Sequence, residues 1–224
     1  EHERRQVAVL QLIAGYRNRG HQRAKLDPLG LMPREDVPDL DLVAHGLNKT
    51  DLDTVFNTGN LAIGKEECTL GEMVQAMEAI YCGAIGTEYM HIVNTAEKRW
   101  IQQRLESVRG NPNFSAETRK HILERVTAAE GIEKYLGTKY AGAKRFGLEG
   151  GESLIPLLDG LIQRGGSYGV KEVVIGMAHR GRLNVLVNIL GKNPGDLFNE
   201  FEGKAVTKHG SGDVKYHQGY SSNV

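Results

Sequence analysis

Residues 173–190 read VVIGMAHRGRLNVLVNIL. A β-branched run ends at Gly176, a short loop carries His179, Arg180 and Arg182, and an apolar run of helical length follows. This order predicts a strand, a loop and a helix. In an open α/β sheet, ligands bind at the loop that leaves the carboxyl end of a strand, and the first N–H groups of the next helix attract an anion. The stretch therefore predicts a phosphate or carboxylate site beside a histidine that can transfer a proton.

The same residues allow a plainer interpretation. Both arginines could donate to nearby backbone carbonyls or pair with surface carboxylates, and His179 could be a structural histidine whose hydrogen bonds are satisfied. Spacing alone does not separate the two interpretations.

Composition sets wide limits on class and location. The 224 residues suffice for one large or two ordinary domains, and 28 basic residues balance 28 acidic ones. Nothing in this charge balance calls for nucleic acid or an anionic membrane, and no apolar run approaches the roughly 20 residues of a spanning helix. The first residues lack a secretory signal and begin as though cut from a longer chain, so cytosol or an organelle matrix is expected. Cys68 and Cys82 form no CxxC motif and are expected to be reduced, buried thiols.

The first half of the chain predicts helices and little strand. Thr69 is placed to cap a helix, Gly20 is placed to end the first one, and Trp100 and Leu105 are predicted to face inward. The predicted helices cover residues 7–20, 70–83, 95–108 and 115–135, with Ser115 and Thr118 as alternative caps of the last. The second of these helices has an apolar stripe made of Leu70, Met73, Val74, Met77 and Ile80.

After Gly137 the glycine content rises and strands are predicted. Helices are expected over 153–164 and from Asn193 through Phe201, and strands over 171–176 and 213–216. The fold class is therefore α/β. A helical region over 1–140 precedes the start of a parallel-sheet domain over 141–224. One or two strands cannot close a core, so residues beyond 224 are expected to complete this domain.

Five motifs in order along the chain carry a family resemblance. They are YRNRGH with LDPLGL, EKRWIQQRLES, KRFGLEGGESLIP, GMAHRGRLNVLVN and GDVKYHQG. Together they resemble the thiamine diphosphate-dependent first component of the 2-oxoglutarate dehydrogenase complex, from about Val7 to the end. The resemblance implies the N-terminal part of a catalytic core, in which a thiamine diphosphate-binding domain begins at residue 141. It also implies an oxidoreductase that decarboxylates 2-oxoglutarate and passes the succinyl group to the lipoylated dihydrolipoyl succinyltransferase component, working as a homodimer.

The resemblance also assigns roles to individual residues. His179 and His217 resemble the family's active-site histidines, and Arg180 resembles an arginine near the cofactor diphosphate. Ser221 resembles a position near the distal carboxylate of the substrate. Arg145 and Phe146 fall in a loop that lines the same pocket. Substituting the histidines is expected to weaken transition-state stabilisation.

The family's magnesium and diphosphate motif is absent from these 224 residues, so the magnesium ligands are expected elsewhere in the polypeptide. These residues alone are expected to be inactive. A 2-oxoadipate dehydrogenase and a 2-oxoglutarate decarboxylase or carboligase are alternatives within the family, and a non-catalytic helical assembly module is the alternative from another class. The YHQGYSS ending favours bacterial relatives and a cytoplasmic location; a eukaryotic source would imply the mitochondrial matrix.

Overall fold

A computed structural model describes residues 1–204 and 217–223. The chain forms two compact units, Glu1–Asn113 and Phe114–Val224, and each is described by itself. Each unit has its own buried apolar clusters.

The first unit begins with a long helix, α1, over His2–Arg23. The prediction that Gly20 ends this helix is wrong, because α1 continues to Arg23. A Cβ atom at Gly20 would lie 2.4 Å from Cβ of Tyr81. Glycine is therefore needed at this position for close helix packing and does not act as a stop signal.

Helix α2 covers Leu70–Tyr81, and the predicted cap is confirmed. The Thr69 hydroxyl accepts a hydrogen bond from the Glu72 N–H at 3.2 Å, and the Glu72 carboxylate accepts one from the Thr69 N–H, which makes a capping box. The predicted apolar stripe faces the core, with Val74 packed at its edge. The residue before α2 also ends strand β2, Glu67–Thr69, which pairs antiparallel with β1, Val55–Asn57.

Helix α3 covers Thr95–Ser107, and the prediction that Trp100 faces inward is wrong. Trp100 is 59% exposed, and the guanidinium of Arg104 lies 4.5 Å from the centroid of its ring. Two polar residues, Gln102 and Glu106, occupy the buried face instead. Leu105, the other residue predicted to face inward, is partly buried against the apolar core of the first unit. Glu106 and Gln102 lie beside it and meet polar groups of the same unit.

A buried ion pair lies at the centre of these polar groups. The Arg17 Nε atom donates to Glu106 Oε1 at 2.8 Å, and the Tyr81 hydroxyl donates to the same oxygen at 2.6 Å. The Ala62 N–H donates to the other carboxylate oxygen at 2.8 Å, and Arg17 also donates to Asn60 Oδ1 at 2.7 Å. Burial alone would lower the pKa of Arg17, but the hydrogen bond and charge of Glu106 raise it overall. Burial, followed by the charge of Glu106, raises the pKa of Tyr81.

Both cysteines are buried free thiols, as predicted. Burial, reinforced by the charge of Glu78, raises the pKa of the Cys82 thiol to about 12. An acid whose folded pKa is raised stabilises the fold while it is neutral. This contribution is complete below the unfolded thiol pKa of about 8.5 and is lost as the pH rises toward the folded value.

We expect Cys82 to resist alkylation in the folded protein at pH 8. The raised pKa leaves roughly 10³-fold less thiolate than in an unfolded chain, and thiolate is the reactive form. The measurement is iodoacetamide labelling followed by mass spectrometry of the Cys82 peptide, with the urea-unfolded protein as control. Similar labelling rates in both states would contradict the expectation.

The second unit contains four helices among its described residues: α4, Ala116–Lys139; α5, Leu154–Ser167; α6, Arg182–Asn188; and α7, Pro194–Phe201. Ser115 caps α4, because its hydroxyl accepts a hydrogen bond from the Thr118 N–H at 3.1 Å. Helices α4, α5 and α6 pack on one another through buried residues that include Ala129, Ile155 and Val185. Helix α4 thus contributes to the core of this unit. The predicted domain boundary at residue 140 concerns the complete polypeptide and stays a prediction.

The prediction of a strand over 171–176 is wrong for this chain, because residues 170–178 lie in no helix or strand. A strand exists only when a neighbour shares its backbone hydrogen bonds, and the described residues supply none to this segment. Val174 is 95% exposed, whereas Ile175 and Met177 are partly buried against the core of the second unit. The second predicted strand, 213–216, lies outside the described residues. What the structure shows is therefore a helix-rich chain with one small antiparallel sheet, and no parallel sheet within the described ranges.

Within residues 1–204 and 217–223, no helix is both long and apolar enough to cross a membrane.

Candidate active site

The two histidines singled out in the sequence lie side by side. His179 Nε2 and His217 Nε2 are 2.8 Å apart, and their ring centroids are 4.9 Å apart. A hydrogen bond between two imidazole nitrogens needs one N–H donor and one unprotonated acceptor, so one Nε2 atom donates to the other, and the tautomers decide which. His179 is half-buried and His217 is exposed, which leaves the pair accessible to a ligand.

Phe146 extends this arrangement into a row of three rings. Its ring stacks on that of His179 with centroids 4.9 Å apart and an interplanar angle of 28°. The backbone at Phe146 has φ = 44°, in the left-handed region where a bulky residue is strained. The Gly181 N–H donates to the Phe146 carbonyl at 2.8 Å, which helps to hold the strained residue over the histidine. Strain of this kind is common at ligand-binding sites.

The loop that carries Phe146 is anchored by a buried carboxylate of α4. Glu133 accepts hydrogen bonds from the Leu148 N–H at 2.9 Å and from Asn184 Nδ2 at 3.0 Å. Arg145 Nη1 lies 3.0 Å from the other oxygen of Glu133 and also contacts Glu149. A hydrogen bond from its own backbone N–H, together with Arg145, lowers the pKa of Glu149. The structure thus places Arg145 in an ion-pair network at the base of the loop.

Both arginines of the AHRGR motif donate to main-chain carbonyls. Arg180 Nη1 donates to the Gly147 carbonyl at 2.9 Å, and Arg182 donates to carbonyls on either side of the histidine pair. These contacts match the plainer interpretation of the sequence. Helix α6 has only seven residues, and its N-cap is Gly181 in the left-handed conformation.

The segment after His217 is hydrogen-bonded to residues between 190 and 200 of the second unit. The Gln218 side chain is buried and accepts a hydrogen bond from Lys192 while it donates to Glu200. The Ser222 hydroxyl donates to the Leu190 carbonyl at 2.7 Å. Ser221 lies within this anchored segment and is exposed. Among the residues that the structure describes, no group of three or more His, Cys, Asp or Glu side chains is arranged to hold a metal ion.

Known bacterial proteins are similar to this chain over nearly its whole length. The chain is 65% identical over 224 residues to the 2-oxoglutarate dehydrogenase E1 component of Azotobacter vinelandii, which covers 100% of this chain and 24% of that protein. It is 57% identical over 221 residues to the protein of the same name from Cupriavidus necator, covering 99% of this chain and 23% of that protein. The chain belongs to this family. The corresponding protein of Haemophilus influenzae is 48% identical over 219 residues, covering 97% of this chain and 23% of that protein.

No family model matches the chain. The chain spans about a quarter of the length of the relatives it matches. These relatives agree with the resemblance inferred from the five motifs, since they bear the name of that component. The three ring residues that the family resemblance singles out, Phe146, His179 and His217, are also the three that the structure brings into contact.

Sequence reasoning missed Glu133. Its carboxylate anchors the loop whose Phe146 stacks on His179. A signal was present in the spacing, because Ala129, Glu133 and Leu136 fall on one face of a helix, and the structure buries all three. A carboxylate within an apolar stripe is buried only if donors meet it. The sequence does not show that those donors come from the loop at 145–148 and from Asn184.

Proposed function

We propose that the full-length polypeptide catalyses the oxidative decarboxylation of 2-oxoglutarate and passes the succinyl group to the lipoyl group of the second component of the complex. The 224 residues would be the N-terminal part of the catalytic core, and the rest of the polypeptide would supply the strands that form a parallel sheet with residues of this chain. The observation that carries the proposal is the His179–His217 pair, with Nε2 atoms 2.8 Å apart, in a chain whose relatives are named for this enzyme. A homodimer in the bacterial cytoplasm is part of the same proposal.

The residues present fit a thiamine diphosphate cofactor. Arg180 is exposed, and a guanidinium carries five N–H donors, of which an Nη1 donor contacts the Gly147 carbonyl. Its charge and remaining donors suit the oxygens of a diphosphate. When bound, the cofactor supplies the carbanion chemistry of decarboxylation. Magnesium would be held by residues outside these 224.

The rings would act on the substrate directly. His179 and His217 would hydrogen-bond the carboxylate of the 2-oxo acid or the oxygen on which charge develops, and exchange the proton they share. Phe146, stacked on His179, would keep water from that ring. Arg145 and Ser221 would lie toward the distal carboxylate of 2-oxoglutarate, with Arg145 held in place by Glu133.

The test is a turnover assay on the full-length polypeptide. Reduction of an artificial electron acceptor is followed with 2-oxoglutarate, 2-oxoadipate and pyruvate, with and without thiamine diphosphate and magnesium. The proposal expects cofactor-dependent turnover that is fastest with 2-oxoglutarate. Faster turnover with 2-oxoadipate would show that 2-oxoadipate, and not 2-oxoglutarate, is the preferred substrate. Failure of the folded protein to bind thiamine diphosphate, measured by calorimetry, would favour the non-catalytic assembly module.

A further inference from the structure

One guanidinium group contacts the main chain beside both histidines. The Nε atom of Arg182 donates to the carbonyl of Ala178 at 3.2 Å, and Nη1 donates to the carbonyl of Gln218 at 3.2 Å. Ala178 directly precedes His179, and Gln218 directly follows His217. A single side chain therefore joins the two segments that carry the histidine pair.

The planar shape of the Arg182 guanidinium suits it to joining these two segments. A guanidinium is planar and its donors have fixed directions, so two carbonyls bonded to it are held at a fixed spacing. The third nitrogen of Arg182, Nη2, donates to the carbonyl of Met177 in the same segment as Ala178. A lysine ammonium is a point charge on a flexible stem and cannot impose this geometry.

The two segments need such a link because no regular structure holds them. In the described part of the chain, residues 170–178 and 217–223 belong to no helix or strand. The Arg182 N–H donates to the His179 carbonyl at 3.1 Å, and side-chain hydrogen bonds supply the link between this turn and the segment that carries His217. A displacement of about 1 Å at a reacting group can lower a rate by roughly 10²-fold, so this placement matters for activity.

Both ends of the link are attached to fixed parts of the second unit. Arg182 is the first residue of α6. Two residues later in the same helix, the buried Asn184 side chain donates to the Ala129 carbonyl at 2.9 Å and to Glu133 Oε1 at 3.0 Å. At the other end, the buried Gln218 side chain is held between Lys192 and Glu200. The guanidinium thus connects one anchored helix with one anchored tail segment.

We propose that Arg182 is a positioning residue that sets the separation of His179 and His217 by holding the carbonyls of Ala178 and Gln218. Its effect on catalysis rests on the proposed function, whereas its effect on the distance between the histidines does not.

The first test measures that distance. Crystal structures of the full-length polypeptide are compared for the wild type and for Arg182→Lys, with Arg182→Gln made in parallel so that a variant that folds is available. We expect the two Nε2 atoms to move beyond hydrogen-bond distance in the variant. A variant in which they stay about 2.8 Å apart would overturn the proposal.

The second test measures turnover with 2-oxoglutarate. We expect kcat of Arg182→Lys to fall about 10-fold or more, while KM and cofactor affinity change less than about 2-fold. In a His217→Ala background the same substitution should have almost no further effect, since Arg182 would act only through the pair. Losses that multiply in the double variant would show that Arg182 acts independently and would overturn the proposal.

Two further measurements separate positioning from general damage. Guanidinium ion added to Arg182→Ala should restore part of the lost kcat, and the absence of any rescue would count against the proposal. Arg164→Lys, an exposed arginine of α5, is the matched control and should leave kcat unchanged. If the wild type shows no thiamine-dependent turnover, the proposed function fails, but the crystallographic distance still decides the role of Arg182.

Discussion

Replacing His179 or His217 with alanine in the full-length polypeptide is expected to lower kcat for 2-oxoglutarate by about 10²-fold or more. The two Nε2 atoms share one hydrogen bond at 2.8 Å, so each substitution removes one ring and also leaves the other ring without its partner. The fold should survive, because both side chains are at least partly exposed. The measurement is steady-state kinetics, accompanied by circular dichroism and calorimetric cofactor binding.

The double variant sharpens this prediction. If the two histidines act as a unit, His179→Ala and His217→Ala together should lose much less than the product of the single losses. His91→Ala, an exposed histidine of the first unit, is the matched control and should retain wild-type kcat. Normal kcat in both single variants would remove the pair from the site.

Replacing Glu106 with glutamine is expected to destabilise the first unit by about 3–5 kcal/mol. The carboxylate is fully buried, and its loss leaves the Arg17 guanidinium as an uncompensated buried charge. Tyr81 and the Ala62 N–H also lose part of a charged acceptor, which a neutral amide oxygen replaces only weakly. The measurement is hydrogen exchange of the peptides that cover α1 and α2. A loss of this size should accelerate exchange of the slowest amides by roughly 10²-fold or more.

Glu97→Gln on the same helix is the matched control, since its side chain is exposed. It should leave exchange in α1 and α2 within about 2-fold of the wild type, as expected for a surface substitution. Equal exchange in Glu106→Gln and in the control would show that the buried pair does not stabilise the unit. A variant with both Glu106→Gln and Arg17→Met should regain part of the lost stability, because no buried charge is then left without a partner.

Local signals in the sequence were sufficient for the N-termini of α2 and α4. The Thr69 cap depends on residues within three positions of it, and Ser115 likewise caps α4 through Thr118. Such contacts are encoded in a short stretch, and the structure confirms them. The first helix shows the limit of local reasoning. Gly20 is typical of a helix end, but glycine is needed there because Tyr81, far away in the sequence, leaves no room for a Cβ atom.

Burial was harder to predict where a helix face meets polar groups. The pattern of α3 predicts that Trp100 faces inward, but the structure exposes Trp100 and buries Glu106. The reason is that Arg17 lies in the core and requires a carboxylate. The strand over 171–176 fails for a related reason, since β propensity forms a strand only beside a partner with free backbone donors and acceptors.

In the candidate site, the motifs identified the rings but not what supports them. His179 and His217 could be named from the family resemblance, and their contact agrees with a shared role. Phe146 has a positive φ although it is not a glycine, so its sequence does not predict this conformation. The buried carboxylate of Glu133 accepts hydrogen bonds from two segments that are separate in the sequence. Long-range contacts of this kind cannot be recovered from one sequence.

The Arg17–Glu106 pair also constrains the order of events during synthesis. Its members are 89 positions apart, so α1 emerges from the ribosome long before its carboxylate partner has been translated. Until then, α1 cannot dock fully without burying an unpaired cation. The first unit is therefore expected to remain open to chaperones and proteases until α3 is made, and then to close cooperatively.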